Sequence, residues 1–257
     1  MEGSIAGRLV ERLRTKAEAR RVVDVRLGLG YSTVRLDDGA AGLAYTYRDE
    51  LGRGCNVFSG RRPLAGRPAQ ELLELLRSDS LLEASVGLAA ANALANHDQP
   101  DLLPGDALDL LSIGPEDSVG MVGYFAPLLP SLEERAAEVL VFERLPIASS
   151  GGGSILPVEE AALALPDCQV ALITATAIIN HTLDEMLGWV KACREVVILG
   201  ASTPMCPEIF SGTPVTLLSG LVIRSPEEIL RVVSEGGGAR HFRTGADKVN
   251  LKVKREI

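Results

Sequence analysis

The stretch Val170-Ala171-Leu172-Ile173-Thr174-Ala175-Thr176-Ala177-Ile178-Ile179-Asn180-His181-Thr182 opens as a short apolar run and breaks into small hydroxyl and amide residues. A helical pattern follows over Thr182 to Cys193, so the segment reads as strand, polar turn and helix. The same texture extends in both directions. Ser118 to Val122, Glu138 to Phe142, Glu195 to Leu199 and Pro214 to Leu218 read as strands, and Leu132 to Ala137, Val158 to Leu165 and Pro226 to Glu235 read as helices. Strands alternating with helices over short connections imply right-handed parallel crossovers, which predict an α/β, Rossmann-like domain over residues 106–257.

Upstream the pattern differs. Ile5, Leu9, Val10 and Leu13 recur at helical spacing, and Val22 to Leu29, Ser32 to Leu36 and Gly42 to Tyr47 read as three strands. Asp37-Asp38-Gly39-Ala40 predicts a hairpin between the last two. Pro68 opens one helix, and the Ala-rich segment Ser80 to Asn96 is another, able to serve a core or an interface between copies. These elements form a smaller α+β domain over residues 1–105, with the Pro-, Gly- and Asp-rich stretch from Pro100 to Pro115 as the boundary. Ser149 to Ser154 and Gly236 to Gly238 read as loops, and Lys248 to Arg255 as a solvated strand or terminus.

Composition narrows the classes of function. The chain has 257 residues, 46% of them hydrophobic, enough for a substantial core. No apolar run approaches the ~18–20 residues of a membrane span, and the start lacks a basic stretch followed by an apolar one, so a cytoplasmic location is expected. A net charge of −8 argues against nucleic acid as a partner. Cys55, Cys168, Cys193 and Cys206 show no C-x-x-C spacing, which argues against a zinc ribbon or a disulfide framework.

In an open parallel sheet, ligands gather where the strands end. After the first strand comes Gly120-Met121-Val122-Gly123-Tyr124-Phe125, whose glycines let the backbone pass close to a ligand or to the sheet. Glu143 lies just past the second strand, where a carboxylate can meet ribose hydroxyls or stand in solvent beside Arg144. Thr182 with Glu185 reads as a capping box, leaving Asn180 to orient a polar ligand. The fourth strand ends in Gly200-Ala201-Ser202-Thr203-Pro204-Met205-Cys206-Pro207-Glu208. Met205 and Cys206 are soft donors that, with His181, make either a metal site or ordinary packing.

Leu27 to Val34, Ser85 to Leu94, Val122 to Leu128, Ile173 to Leu183 and Gly200 to Phe210 together resemble the family of putative heavy-metal chelation proteins. The resemblance implies a first domain similar to the amino-terminal domain of enolase, a Rossmann-like second domain and a cleft between them. It puts Tyr31, Thr33 and Asn92 on one wall of that cleft, and Gly123, Tyr124, Glu143, Thr174, Asn180, Ser202 and Thr203 on the other, with Phe125 in the adjoining turn. His181 and Ala175 stand where glycine is expected, and Ala201 where proline is. The expected function is binding, with or without chemistry, of a small polar or metal-chelating ligand. The alternative is a transferase with an S-adenosylmethionine-like or nucleotide cofactor; for a cofactor, a metal ion or such a nucleotide is expected, and for a partner, a small molecule, a metal or a second copy of the chain.

Overall fold

The computed structural model describes residues 3–48, 58, 62–97, 99–144 and 154–254. Helix α1 (Ile5–Glu18) begins where Ser4 Oγ accepts the Gly7 N–H at 3.2 Å, and it buries Leu9, Val10 and Leu13. Strands β1 (Val22–Leu27), β2 (Tyr31–Leu36) and β3 (Ala41–Tyr45) form an antiparallel sheet in that order. The turn between β2 and β3 holds Gly39 at φ 88°, a conformation that an Asp-Gly pair supplies cheaply.

Helix α3 (Leu81–Ala95) covers this sheet, and α2 (Ala69–Glu74) packs on α3 and α1. Along α3 every residue from Leu82 to Ala95 except Glu83 is buried. The helix is therefore core of its own chain, and the reading of it as an interface is set aside. Its small residues are what permit this. A Cβ on Gly87 would lie 2.1 Å from Leu76 N, and one on Gly42 of β3 would lie 2.2 Å from both Ala89 O and Ala93 N.

The second sheet takes in β4 (Leu103–Pro104), β5 (Ser118–Val122), β6 (Glu138–Glu143), β7 (Ser154–Pro157), β8 (Val170–Thr174), β9 (Glu195–Leu199), β10 (Leu217–Ile223) and β11 (Ala246–Lys252). Its order is β4-β11-β10-β9-β8-β5-β6-β7, parallel from β10 to β7. Counted from β5, the parallel strands run 3-2-1-4-5-6, the doubly wound order whose direction reverses between β5 and β8. Helices α4 (Leu129–Arg135), α5 (Ala161–Ala164), α6 (Leu183–Trp189) and α7 (Pro226–Ser234) complete the fold.

Strands covered on both faces need apolar residues on both, which is why these segments read as runs rather than alternations. Val119, Met121, Val141, Leu172 and Val197 pack in a cluster with Leu108, Leu129 and Leu132. Val122, Phe142, Ile173 and Ile198 belong to a larger core that continues without a break into α1, α2 and α3. Each such buried aliphatic side chain contributes about 1.5–3 kcal/mol relative to exposure.

Three expectations shift. The strand expected at Pro214 to Leu218 begins at Leu217 and runs to Ile223; Pro214 has no N–H, and pairing starts only when Thr216 N donates to Val196 O. Of the two readings of the tail the strand holds, but it is not a solvated one. Ala246 to Lys252 pairs along the length of β10 and with β4, burying Val249, Asn250 and Leu251. Most of the loop expected at 149–154 lies outside the described residues, and its last member, Ser154, opens β7.

Candidate functional site

The cavity at the carboxyl ends of β5, β6 and β8 has a volume of about 400 Å³, and all four tyrosines of the chain line it. The strand-order reversal next to β5 puts it there, because crossovers on either side of that point leave the strand ends uncovered.

Gly123 closes β5. Its N–H donates to Phe142 O at 2.9 Å, its φ is 91°, and a Cβ on it would meet Thr174 Cβ at 2.9 Å. Any side chain here would be strained by the backbone and driven into the next strand's end. Glu143 ends β6, with Oε2 accepting the Tyr124 N–H at 3.0 Å and Oε1 accepting its neighbour's N–H, from Arg144, at 2.8 Å. A carboxylate has about four acceptor sites, so each oxygen keeps one for a ligand. At the end of β8, Thr174 Oγ1 accepts the Thr176 N–H at 3.3 Å and lies 3.0 Å from Thr176 Oγ1.

The opposite wall is aromatic. Tyr31 and Tyr45 are register partners on β2 and β3, and Tyr47 follows Tyr45 on the same face by the period of two. Their rings meet edge to face, Tyr31 to Tyr45 at 5.9 Å and Tyr45 to Tyr47 at 5.2 Å between centroids. Tyr31 also packs against Phe242 at 5.1 Å. Burial, reinforced by neighbouring Tyr45, pushes the Tyr31 phenol up to about 12, so it stays a hydrogen-bond donor at neutral pH. Tyr47 spans the cavity, its hydroxyl donating to Thr176 O at 3.2 Å, while the Arg144 guanidinium stands 5.9 Å over its ring.

Seven of the residues singled out in the sequence line this cavity: Tyr31, Gly123, Tyr124, Phe125, Glu143, Thr174 and Asn180. Asn180 is not as free as expected. Its Oδ1 accepts from Thr182 N at 3.3 Å and Thr182 Oγ1 at 2.7 Å, and the Thr182 side chain, expected to form a capping box, caps nothing.

Four others are elsewhere. Thr33 Oγ1 donates to Gly42 O at 2.9 Å, and Asn92 Nδ2 donates to Leu43 O and Ser202 O at 2.7 and 3.0 Å. Ser202 Oγ accepts the Tyr45 N–H at 2.8 Å, and Thr203 is fully buried with its carbonyl accepting from Asn96 Nδ2. These side chains join the small sheet and α3 to the loop after β9. A short polar side chain at a strand end satisfies a neighbour's backbone as readily as a ligand. Tyr45, Tyr47 and Thr176 were missed, although three of only four tyrosines falling within 17 residues of a hairpin was a usable signal.

Each of the expected metal donors has another partner. His181 Nε2 donates to Ser78 O at 3.1 Å, and Met205 packs against Gly220 of β10, where a Cβ would meet its Sδ at 2.9 Å. Cys206 Sγ donates to Glu208 Oε2 at 3.3 Å, and burial, then Glu208, pushes its thiol up to about 12. Among the described residues no three His, Cys, Asp or Glu side chains form a metal-binding group; Cys55 lies outside them.

His181 has φ 59°, the left-handed region, in line with the glycine expected there. That geometry costs a non-glycine residue about 1–2 kcal/mol. His181→Gly and His181→Ala both lose the bond to Ser78, but only glycine relieves the backbone. We expect the glycine variant to be the more stable by about 1 kcal/mol in urea unfolding, and equal midpoints would refute the strain.

A sequence profile described as putative heavy-metal chelation, DUF364, matches residues 106–252, and a second profile of the same description matches residues 10–95. The chain belongs to the DUF364 family. A crystal structure of a DUF364 protein of unknown function from Pyrococcus horikoshii is 26% identical, with a TM-score of 0.85 over 97% of this chain and 100% of that one. Another DUF364 protein, from Desulfitobacterium hafniense DCB-2, shares the fold at 23% identity and a TM-score of 0.82, over 96% and 97% of the two chains. An uncharacterised protein of Methanocaldococcus jannaschii is 24% identical over 257 residues, 97% of each chain. Among the described residues of this DUF364 chain, no helix is long and apolar enough to cross a membrane.

Proposed function

We propose that this protein binds a small polar organic molecule in a cleft between its two domains, and that the metal-related description of its family acts through that molecule. The observation that carries the reading is the convergence of all four tyrosines with Gly123, Glu143 and Thr174 on one cavity. Such a site, mostly apolar with a few aimed polar groups, suits a ligand of modest size. The described side chains offer the cleft no set of metal donors, so a metal would arrive as a complex of the ligand. A second reading, transfer chemistry with an S-adenosylmethionine-like or nucleotide cofactor, draws on the Gly123 turn and on Glu143 at the end of the second strand.

The test is to purify the protein under mild conditions, identify what comes with it by mass spectrometry, and measure metal on the same sample. An organic molecule is expected in the wild type, and Gly123→Val, which fills the turn, is expected to lose at least nine-tenths of it. Any metal should leave with the molecule. Stoichiometric metal on protein freed of organic ligand would overturn the reading.

A further inference from the structure

We infer that the ligand of this cleft carries an unphosphorylated nucleoside, its vicinal hydroxyls on Glu143 and its base against the tyrosine wall; the inference rests on the cleft reading above. Three features bear on it, and each concerns a different part of such a ligand.

The first is the carboxylate. Glu143 stands at the end of the strand next to β5, and both its oxygens are oriented by backbone N–H groups. The acceptor site left on each oxygen suits two neighbouring hydroxyls, as on a ribose ring, and a charged acceptor strengthens both bonds. The second is the wall. Tyr31, Tyr45 and Tyr47 present a row of rings on the same cavity as this carboxylate, and the Arg144 guanidinium 5.9 Å over Tyr47 shows that the row's last ring takes a flat, electron-poor partner on its face.

The third feature excludes phosphate. In doubly wound sheets the pyrophosphate lies on backbone N–H groups where the first turn enters its helix. Here that turn is Gly123-Tyr124-Phe125-Ala126-Pro127-Leu128-Leu129-Pro130. Proline stands in the first turn of the 3-10 segment Ala126–Leu128 and again in that of α4, so donors are missing where phosphate would need them. The Phe125 ring fills the crevice: it lies 3.4 Å from a Cβ placed on Gly123 and 3.6 Å from one placed on Gly200. A diphosphate crossing between the ends of β5 and β9 would have to displace it. Glu143 adds a negative charge to the same space.

Calorimetric titration of ligand-free protein with the four common ribonucleosides, their 2′,3′-dideoxy analogues and their 5′-monophosphates tests this. At least one ribonucleoside should bind, its dideoxy analogue at least tenfold more weakly, and its monophosphate no more tightly. Glu143→Gln, checked for folding by its melting curve, should shrink the ribose-to-dideoxy ratio below threefold. Equal binding of the dideoxy analogue, tenfold tighter binding of the monophosphate, or no binding of any ribonucleoside would overturn the inference. If none binds while a different copurified molecule still depends on Gly123, only the nucleoside assignment falls and the cleft reading stands.

Discussion

The Gly42→Ala variant is expected to lose about 4 kcal/mol or more of stability, a large share of the roughly 5–15 kcal/mol that holds a native fold together. Gly42 lies in β3 where α3 crosses the small sheet. The added methyl would lie 2.2 Å from Ala89 O, 2.2 Å from Ala93 N and 2.7 Å from the carbonyl carbon of Asn92. All three are backbone atoms of a helix that is itself buried, so no side chain can rotate away to make room. The helix must translate as a body, opening its contacts with α1 and α2. Gly188 is the control. It is exposed within α6, nothing lies within 4 Å of a Cβ placed there, and Gly188→Ala should raise stability by up to ~1 kcal/mol through helix propensity. Urea unfolding of the two variants should move in opposite directions. A Gly42→Ala midpoint within experimental error of the wild type would mean that the close packing of α3 on β3 is wrong.

That packing also marks where sequence reading succeeds and where it stops. Apolar runs between polar turns identify β5, β6, β8 and β9, because strands buried on two faces need little besides Val, Leu and Ile. The spacing of Ile5, Leu9 and Leu13 and the serine ahead of Leu81 identify α1 and α3 for equally local reasons. Pairing partners are another matter. Nothing local in Ala246–Lys252, where Asp247, Lys248 and Lys252 alternate with buried residues, indicates a strand inside the large sheet rather than a solvated tail. Gly120 reads as part of a ligand-facing turn, yet it lies within β5, and a Cβ there would meet Leu165 Cδ2 at 2.4 Å. For the site, backbone-dictated residues were legible: Gly123 and Glu143 follow from strand ends. Hydroxyl and amide side chains were legible only in part: Thr174 and Asn180 line the cavity, whereas Ser202, Thr203, Thr33 and Asn92 look the same in sequence whether they face a ligand or a carbonyl.

These misplaced residues lead to the second large effect. Asn92→Leu should cost about 3 kcal/mol although it keeps the branched shape and adds apolar surface. Among the described residues β3 is an edge strand, and no further strand there satisfies its outer groups. Two side chains do so instead: Asn92 Nδ2 donates to Leu43 O, and Ser202 Oγ accepts from Tyr45 N. The same Nδ2 also donates to Ser202 O, so a single amide links α3, the edge of the small sheet and the loop after β9. Leucine leaves two carbonyls unmet in a dry interior, at about 1–3 kcal/mol each. The gain is small by comparison: Asn92 Oδ1 is buried without a partner, and leucine removes that one orphan. The loss should also reach the cavity, because the Ser202 hydroxyl holds the backbone of Tyr45, the middle ring of the tyrosine wall. Hydrogen exchange at the Tyr45 amide should therefore accelerate beyond what the global loss of stability accounts for. A variant within 1 kcal/mol of wild type, with Tyr45 protection unchanged, would show that the wall is positioned by its own ring contacts and owes nothing to the asparagine behind it.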